Sequence, residues 1–185
     1  MTWALVVVDV QNDFADSAGS LAVTGGTDVL RAVNALVADA PVAVYTQDWH
    51  PPVTAHFTTS GGVWPVHCVQ DTWGAALHPD LHVRGGTVRK GTAGEDGYSG
   101  FTVRDPVTGV ETPTPLAGLL HAAGATSLVV VGLATDYCVR ATALDGLAAG
   151  WPVTVVRDAV RAVDLQPGDG ERTLVDLEAA GVVLR

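Results

Sequence analysis

The sequence predicts an α/β protein, a single-domain, six-stranded, mainly parallel sheet with helices on both faces, spanning residues 1–185. Three observations predict it. Unbroken apolar runs rich in β-branched residues recur, ALVVVDV at 4–10 and LVVVGL at 128–133 among them, as strands buried on both faces do. Segments with apolar residues at helical spacing alternate with these runs in single file, the order that produces a parallel sheet. A composition of 48% hydrophobic and 16% charged residues over 185 positions suits one globular core.

The elements follow in order. Ala4–Val10 is the first strand, with Asp9 near its end, where a lone carboxylate is costly to bury without a partner or a job. After a loop from Gln11 to Gly26, Thr27 is expected to cap a helix whose stripe is Val29, Leu30, Val33, Leu36 and Val37. Pro41 ends that helix, and Val42–Thr46 is the second strand, followed by Asp48 and His50. From Trp49 to Gly86 no period is sustained, and Pro, Gly, Trp and His are frequent, as in the walls of a site. Thr87–Arg89 is a third strand with Lys90 at its end, and residues 91–114 read as irregular around the turn Asp105-Pro106.

Leu116–Ala123 is a helix leading into the central strand, Leu128–Leu133. Thr135 or Asp136 can cap the next helix, whose apolar positions Val139, Ala143, Leu144 and Leu147 run until Gly150. Val153–Val156, Gly170–Ala180 and Val182–Leu184 complete the chain as strand, helix and strand.

A net charge of −10 argues against nucleic acid or an anionic membrane as partner. No apolar run reaches the length of a membrane span, Met1-Thr2-Trp3 leads directly into a strand, and two cysteines form no disulfide framework, so a cytoplasmic setting is expected. Lys90 is the only lysine beside nine arginines, which suggests a role that arginine cannot fill.

Ligands of parallel sheets bind beyond the carboxyl ends of the strands. Asp9, Asp48, Lys90 and Cys138 come from four strands and gather at that edge. Cys138 falls in the first turn of a helix, where aligned peptide dipoles favour a thiolate, so an acidic, nucleophilic thiol is expected. With Asp9 as base and Lys90 as charge partner it forms a plausible nucleophilic site; the alternative is a buried ion pair beside an inert thiol. Asp48 and His50 are spaced to share one side of a strand, and His56 and His67 follow in the irregular segment. That mixture suits Zn²⁺, Fe²⁺ or Mn²⁺, the alternative being solvated loop histidines. His78 and His82, around Pro79-Asp80, read as a surface turn. Phe14, Trp49, Trp64, Trp73 and Tyr98 lie mostly in the loops, and some of them are expected to line a pocket for a flat ligand.

In order and spacing, VVVDVQNDF (6–14), QDWHPPVTAHF (47–57), WPVHCV (64–69), VRKG (88–91), EDGYSGF (95–101) and GLATDYCV (132–139) resemble the nicotinamidase/pyrazinamidase branch of the isochorismatase-like cysteine hydrolases. The resemblance implies a catalytic triad at Asp9, Lys90 and Cys138, and a divalent metal, zinc foremost with iron or manganese as alternatives, held by Asp48, His50 and His67 with His56 as a fourth ligand. It further implies a cis peptide before Ala134, an oxyanion hole from the N–H groups of Ala134 and Cys138, and a ring pocket bordered by Phe14, Trp64, Tyr98 and Ala134. Tyr137 receives no role from it. The implied activity is hydrolysis of nicotinamide to nicotinic acid and ammonia within NAD salvage, with pyrazinamide also accepted, by a monomer or a homo-oligomer. Three other readings stay open: an amidase for another small carboxamide, a non-catalytic binding protein of the same fold, and a metallohydrolase in which Cys138 is structural.

Overall fold

The two longest apolar runs lie side by side: Ala4 pairs with Leu128, Leu5 with Val129, Val6 with Val130 and Val7 with Val131, in parallel. The computed structural model describes residues 2–185. In its first half these form β1 (Thr2–Val8), α1 (Asn12–Ala15), α2 (Val29–Asp39), β2 (Val42–Asp48), β3 (Thr87–Lys90), β4 (Thr102–Arg104) and β5 (Glu111–Pro113). The second half adds α3 (Leu116–Ala122), β6 (Ala125–Leu133), α4 (Arg140–Ala148), β7 (Val153–Arg161), α5 (Asp169–Ala180) and β8 (Val183–Leu184). The six-stranded sheet runs β3-β2-β1-β6-β7-β8 with every pairing parallel.

Alternation along β1 divides the interior. Ala4, Val6 and Val8 face a core closed by Leu116 and Leu120 of α3, Ala143 of α4, and Leu174 and Leu177 of α5. Leu5 and Val7 face the opposite core, closed by Val29, Leu30, Val33 and Val37 of α2. Each fully buried Val or Leu contributes roughly 1.5–3 kcal/mol, so both faces pin the register of the central strands.

Several boundaries differ from expectation, each for a physical reason. β1 stops at Val8 rather than Val10, because Asp9 takes a left-handed conformation (φ 48°), which short polar side chains tolerate. α2 has no side-chain cap: Gly25 (φ 71°) opens a short 3₁₀ turn that absorbs the exposed Thr27. β7 continues to Arg161 through a bulge, its register jumping from Val130↔Val155 to Gly132↔Val160. The exposed Arg157 and Asp158 of that bulge break the apolar run and hid the continuation. Residues 91–114 are not wholly irregular; β4 and β5 form an antiparallel ribbon whose turn is closed by Asp105, which accepts the N–H groups of Val107 and Thr108. At the functional edge Gly132 (φ 111°) lies so close to β1 that an added Cβ would meet the Val8 carbonyl oxygen at 2.1 Å. No helix among the described residues is long and apolar enough to cross a membrane.

Candidate active site

β1, β2, β3 and β6 deliver their carboxyl ends to one depression. Lys90 closes β3 and is fully buried. Its Nζ donates to Asp9 Oδ2 at 2.7 Å and to the carbonyls of Gly97 and Tyr98, and lies 3.0 Å from Asp48 Oδ1 in an ion pair without hydrogen-bond alignment. A carboxylate oxygen of Asp9, one of Asp48 and the Cys138 sulfur all lie within 4.8 Å of one another. The nucleophile cluster and the histidine cluster are therefore not separate, since Asp48, paired with Lys90, lies beside His50 and His67 as well as beside Asp9 and Cys138. Arginine's planar fork could not serve this compact junction. Gly97 fits because a Cβ there would come within 2.9 Å of Lys90 Cβ and 3.1 Å of Asp48 Oδ1.

The two carboxylates differ. Burial raises the Asp9 carboxyl above its ordinary value, against the pull of Lys90 and with the push of Asp48. Burial also acts to raise Asp48, but Lys90 and the imidazoles of His50 and His67 outweigh it and hold that carboxyl well below the ordinary range. Burial acts to lower Lys90, and the carboxylates of Asp48 and Asp9 overcome it, so its ammonium persists far into alkali.

Cys138 departs from expectation. Neither Thr135 nor Asp136 caps the helix; Ala134 takes that place, and a wide first turn follows in which the Val139 N–H reaches back five residues to the Ala134 carbonyl. Asp136 instead accepts the N–H groups of Val163 and Asp164, tying this turn to the chain beyond β7. The thiol is buried, and burial pushes it well above its ordinary value, with Asp9 and Asp48 adding to the rise and Lys90 opposing it. It rests as the thiol, so its proton must be removed on demand. The peptide between Leu133 and Ala134 is cis, as expected, and the Ala134 N–H has no acceptor among the described residues.

Next to this junction stand the histidines. One ring nitrogen from each of His50, His56 and His67 lies within 4.8 Å of the others. The Nε2 atoms of His50 and His67 each lie 3.7 Å from Asp48 Oδ2. His67 Nδ1 donates to the Pro65 carbonyl at 2.7 Å, which leaves its Nε2 lone pair free. Both nitrogens of the fully buried His50 and Oδ1 of Asp48 lack hydrogen-bond partners among the described residues. Unsatisfied buried nitrogens beside a carboxylate are the mark of a cation-binding set, and three imidazoles with one carboxylate fit a divalent metal. His56 is held by Asp96, whose Oδ1 lies 2.6 Å from Nδ1. Burial pulls its imidazole below the ordinary value, against that carboxylate, so it stays neutral as a ligand must. His78 and His82 lie apart from this set; His78 Nδ1 accepts the Asp80 N–H within the expected turn, though its ring is buried.

Phe14, Trp64, Tyr98 and Ala134 line one pocket with His56, His67 and Cys138. Trp64 Nε1 donates to the Tyr98 hydroxyl at 2.8 Å, and burial pushes the Tyr98 hydroxyl up to about 12. Trp49 and Trp73 stay outside: Arg89 stacks on Trp49, and Trp73 is exposed. Sequence reasoning missed Leu21, Tyr137 and Val163 of the lining; Tyr137 packs edge-to-face on Trp64 at 4.8 Å. It also missed Thr46, which donates to Asp9 Oδ1 at 2.6 Å and accepts the Asp9 N–H, and Gln11. The Gln11 amide donates to the Asp48 carbonyl and accepts the Asp48 N–H, both at 2.8 Å, so it fixes the backbone that carries Asp48. A polar residue directly after a buried strand was the available signal for Gln11.

Residues 3–183 match the family model described as the isochorismatase domain. The nicotinamidase of Escherichia coli (strain K12) is 36% identical over 98% of this chain and 93% of its own length. Among solved structures, PnC1 from L. infantum in complex with nicotinate is 42% identical, covers 100% of this chain and 92% of its own, and superposes with a TM-score of 0.90. The pyrazinamidase of Pyrococcus horikoshii in complex with zinc is 37% identical, covers 100% of this chain and 99% of its own, and gives a TM-score of 0.87.

Proposed function

The chain belongs to the isochorismatase-domain family, and from that premise we propose that it hydrolyses nicotinamide to nicotinic acid and ammonia, and pyrazinamide by the same route. The observation that carries the reading is the junction of a buried thiol, a carboxylate and an ammonium at the floor of an aromatic pocket whose side wall is a histidine set.

The residues divide the work. The ring lies between Phe14 and the Trp64–Tyr98 wall, with its carboxamide carbon toward Cys138 Sγ. Asp9 takes the thiol proton as the sulfur attacks, and Lys90 keeps Asp9 and Asp48 in register while offsetting the charge that the sulfur gains. The oxyanion is received by the N–H groups of Ala134 and Cys138, a stabilisation of roughly 3 kcal/mol per donor. Asp9 returns the proton to the amide nitrogen, ammonia leaves, and a thioester remains on Cys138. Asp9 then accepts a proton from the attacking water, releasing the acid and restoring the thiol. A raised carboxyl suits the opening step, since the more basic carboxylate takes the thiol proton more readily. Asp48, His50, His56 and His67 would hold one divalent cation, zinc by the balance of imidazole and carboxylate donors, which when bound supplies a fixed positive centre for the ring nitrogen or a water beside it. The setting we assign is the cytoplasm, in keeping with the two unpaired cysteines.

Ammonia release from nicotinamide, paired with intact-protein mass after an acid quench, tests this reading. The expected result is stoichiometric ammonia and nicotinate, with an acyl adduct on Cys138, and loss of both in Cys138→Ala by on the order of 10⁴-fold or more. Turnover surviving in Cys138→Ala would return the protein to a metallohydrolase with a structural thiol.

A further inference from the structure

The three imidazoles differ in what stands behind them. His67 is backed by a neutral carbonyl, that of Pro65 at 2.7 Å, and His50 has no hydrogen-bond partner among the described residues. His56 alone is backed by a charged group: its Nδ1 lies 2.6 Å from Asp96 Oδ1, the side chains being 4% and 17% exposed. A carboxylate can only accept, so Nδ1 carries the hydrogen and Nε2 carries the lone pair.

Asp96 is itself fixed. Its N–H donates to the Arg104 carbonyl at 2.8 Å and its carbonyl accepts the Arg104 N–H at 3.0 Å, tying it to the β4–β5 ribbon. The next two residues, Gly97 and Tyr98, give their carbonyls to Lys90. On the other side, the His56 N–H reaches the Thr54 hydroxyl, which donates to the Gly94 carbonyl at 2.6 Å. The loop carrying His56 and the loop carrying Asp96 are thus stitched at both backbone and side chain.

We propose that Asp96 is a positioning residue of the metal centre: it fixes the tautomer and ring orientation of His56, strengthens it as a donor, and so sets the protein's affinity for a divalent cation. This rests on the reading of His56 as a ligand. The ribbon, which contributes nothing to the pocket floor, has the task of holding Asp96 in place.

The test is Zn²⁺ affinity of the metal-stripped full-length protein, measured by competition with a chromophoric chelator. It needs Asp96→Asn, Asp96→Ala, His56→Ala and the double variant Asp96→Asn/His56→Ala, with thermal melting of each apo protein alongside. Removing a carboxylate behind a ligating histidine costs on the order of 10–100-fold in metal affinity, and Asp96→Asn is expected to show that loss while its apo melting stays that of the wild type. In the His56→Ala background Asp96→Asn should add nothing, because the two act as one unit. Wild-type affinity in both Asp96 variants, with a clear loss in His56→Ala, would overturn the proposal and leave His56 a ligand. Unchanged affinity in His56→Ala would remove the ligand reading and the proposal together. Equal loss from Asp96→Asn with and without His56 would show that Asp96 acts through the fold, which also overturns the proposal.

Discussion

The ends of β1 and β2 carry the same side chain in nearly the same surroundings, yet they behave oppositely. Asp9 and Asp48 are both buried, and both face Lys90, at 2.7 and 3.0 Å. Asp9 is raised above the ordinary carboxyl value and Asp48 is held well below it. What separates them is company. Asp48 has two imidazoles at 3.7 Å in addition to the ammonium, whereas Asp9 has a single hydroxyl, that of Thr46, and a neighbouring carboxylate that repels its charge. Two equal groups pushed apart in this way take different offices: the raised one carries protons, the lowered one stays anionic and holds a cation.

Exchanging charge for shape at each position should break the comparison most sharply. Asp9→Asn is expected to lower kcat by on the order of 10²–10⁴-fold while leaving Zn²⁺ affinity unchanged. Asp48→Asn should instead abolish tight metal binding and raise KM. If Asp9→Asn loses the metal as well, the two carboxylates are not functionally distinct.

Lys90→Arg comes next. The fork cannot replace a point charge shared by two carboxylates and two carbonyls, so a loss of roughly 3–5 kcal/mol in stability is expected for a broken buried pair. Denaturant melting measures it, and a near-normal stability and rate would reduce Lys90 to a general counter-charge.

The pH dependence of kcat/KM sharpens the contrast without mutation. Asp9 must be ionised to accept the thiol proton, and its carboxyl is raised above 3.8, so activity should fall as pH drops through that raised value. Asp48 titrates well below 3.8 and should contribute no limb in the same range. Cys138 lies well above 9.0 and Lys90 well above 10.5, so the alkaline side should stay flat up to at least pH 9.0. An alkaline limb assigned to Cys138 below that point would mean the thiolate is preformed.

The smallest effect is expected from Thr46→Val. It removes the hydrogen bond that favours ionised Asp9, worth about 1 kcal/mol, so the acid limb should move up by somewhat less than about one pH unit. An unmoved limb would show that Thr46 supports only the backbone of Asp9.

The sheet and the junction residues were legible because each of Asp9, Asp48, Lys90 and Cys138 stands at the end of an apolar or β-branched run, and parallel sheets gather such ends. The thiol's state was not, since helix position argues for an acidic sulfur while burial, visible only in three dimensions, dominates. The left-handed Asp9 gave no sign either, lying inside what reads as continuing strand. β4 and β5, at three residues each, are too short to carry a period, and with them the tie from Arg104 to Asp96 was hidden. Gln11 was passed over as loop because its task, bonding the backbone of Asp48, depends on a partner 37 residues away.

Lys90 is the only lysine of the chain, and it is completely enclosed. The folded surface accordingly offers arginine guanidinium groups but no lysine ammonium to acylating reagents, aldehydes or lysine-modifying enzymes. An acyl label on Lys90 can then arise only when the edge between β2 and β3 opens. The residue becomes a built-in clock for that opening, and the rate at which an amine-reactive ester marks it measures how often the reaction centre comes apart.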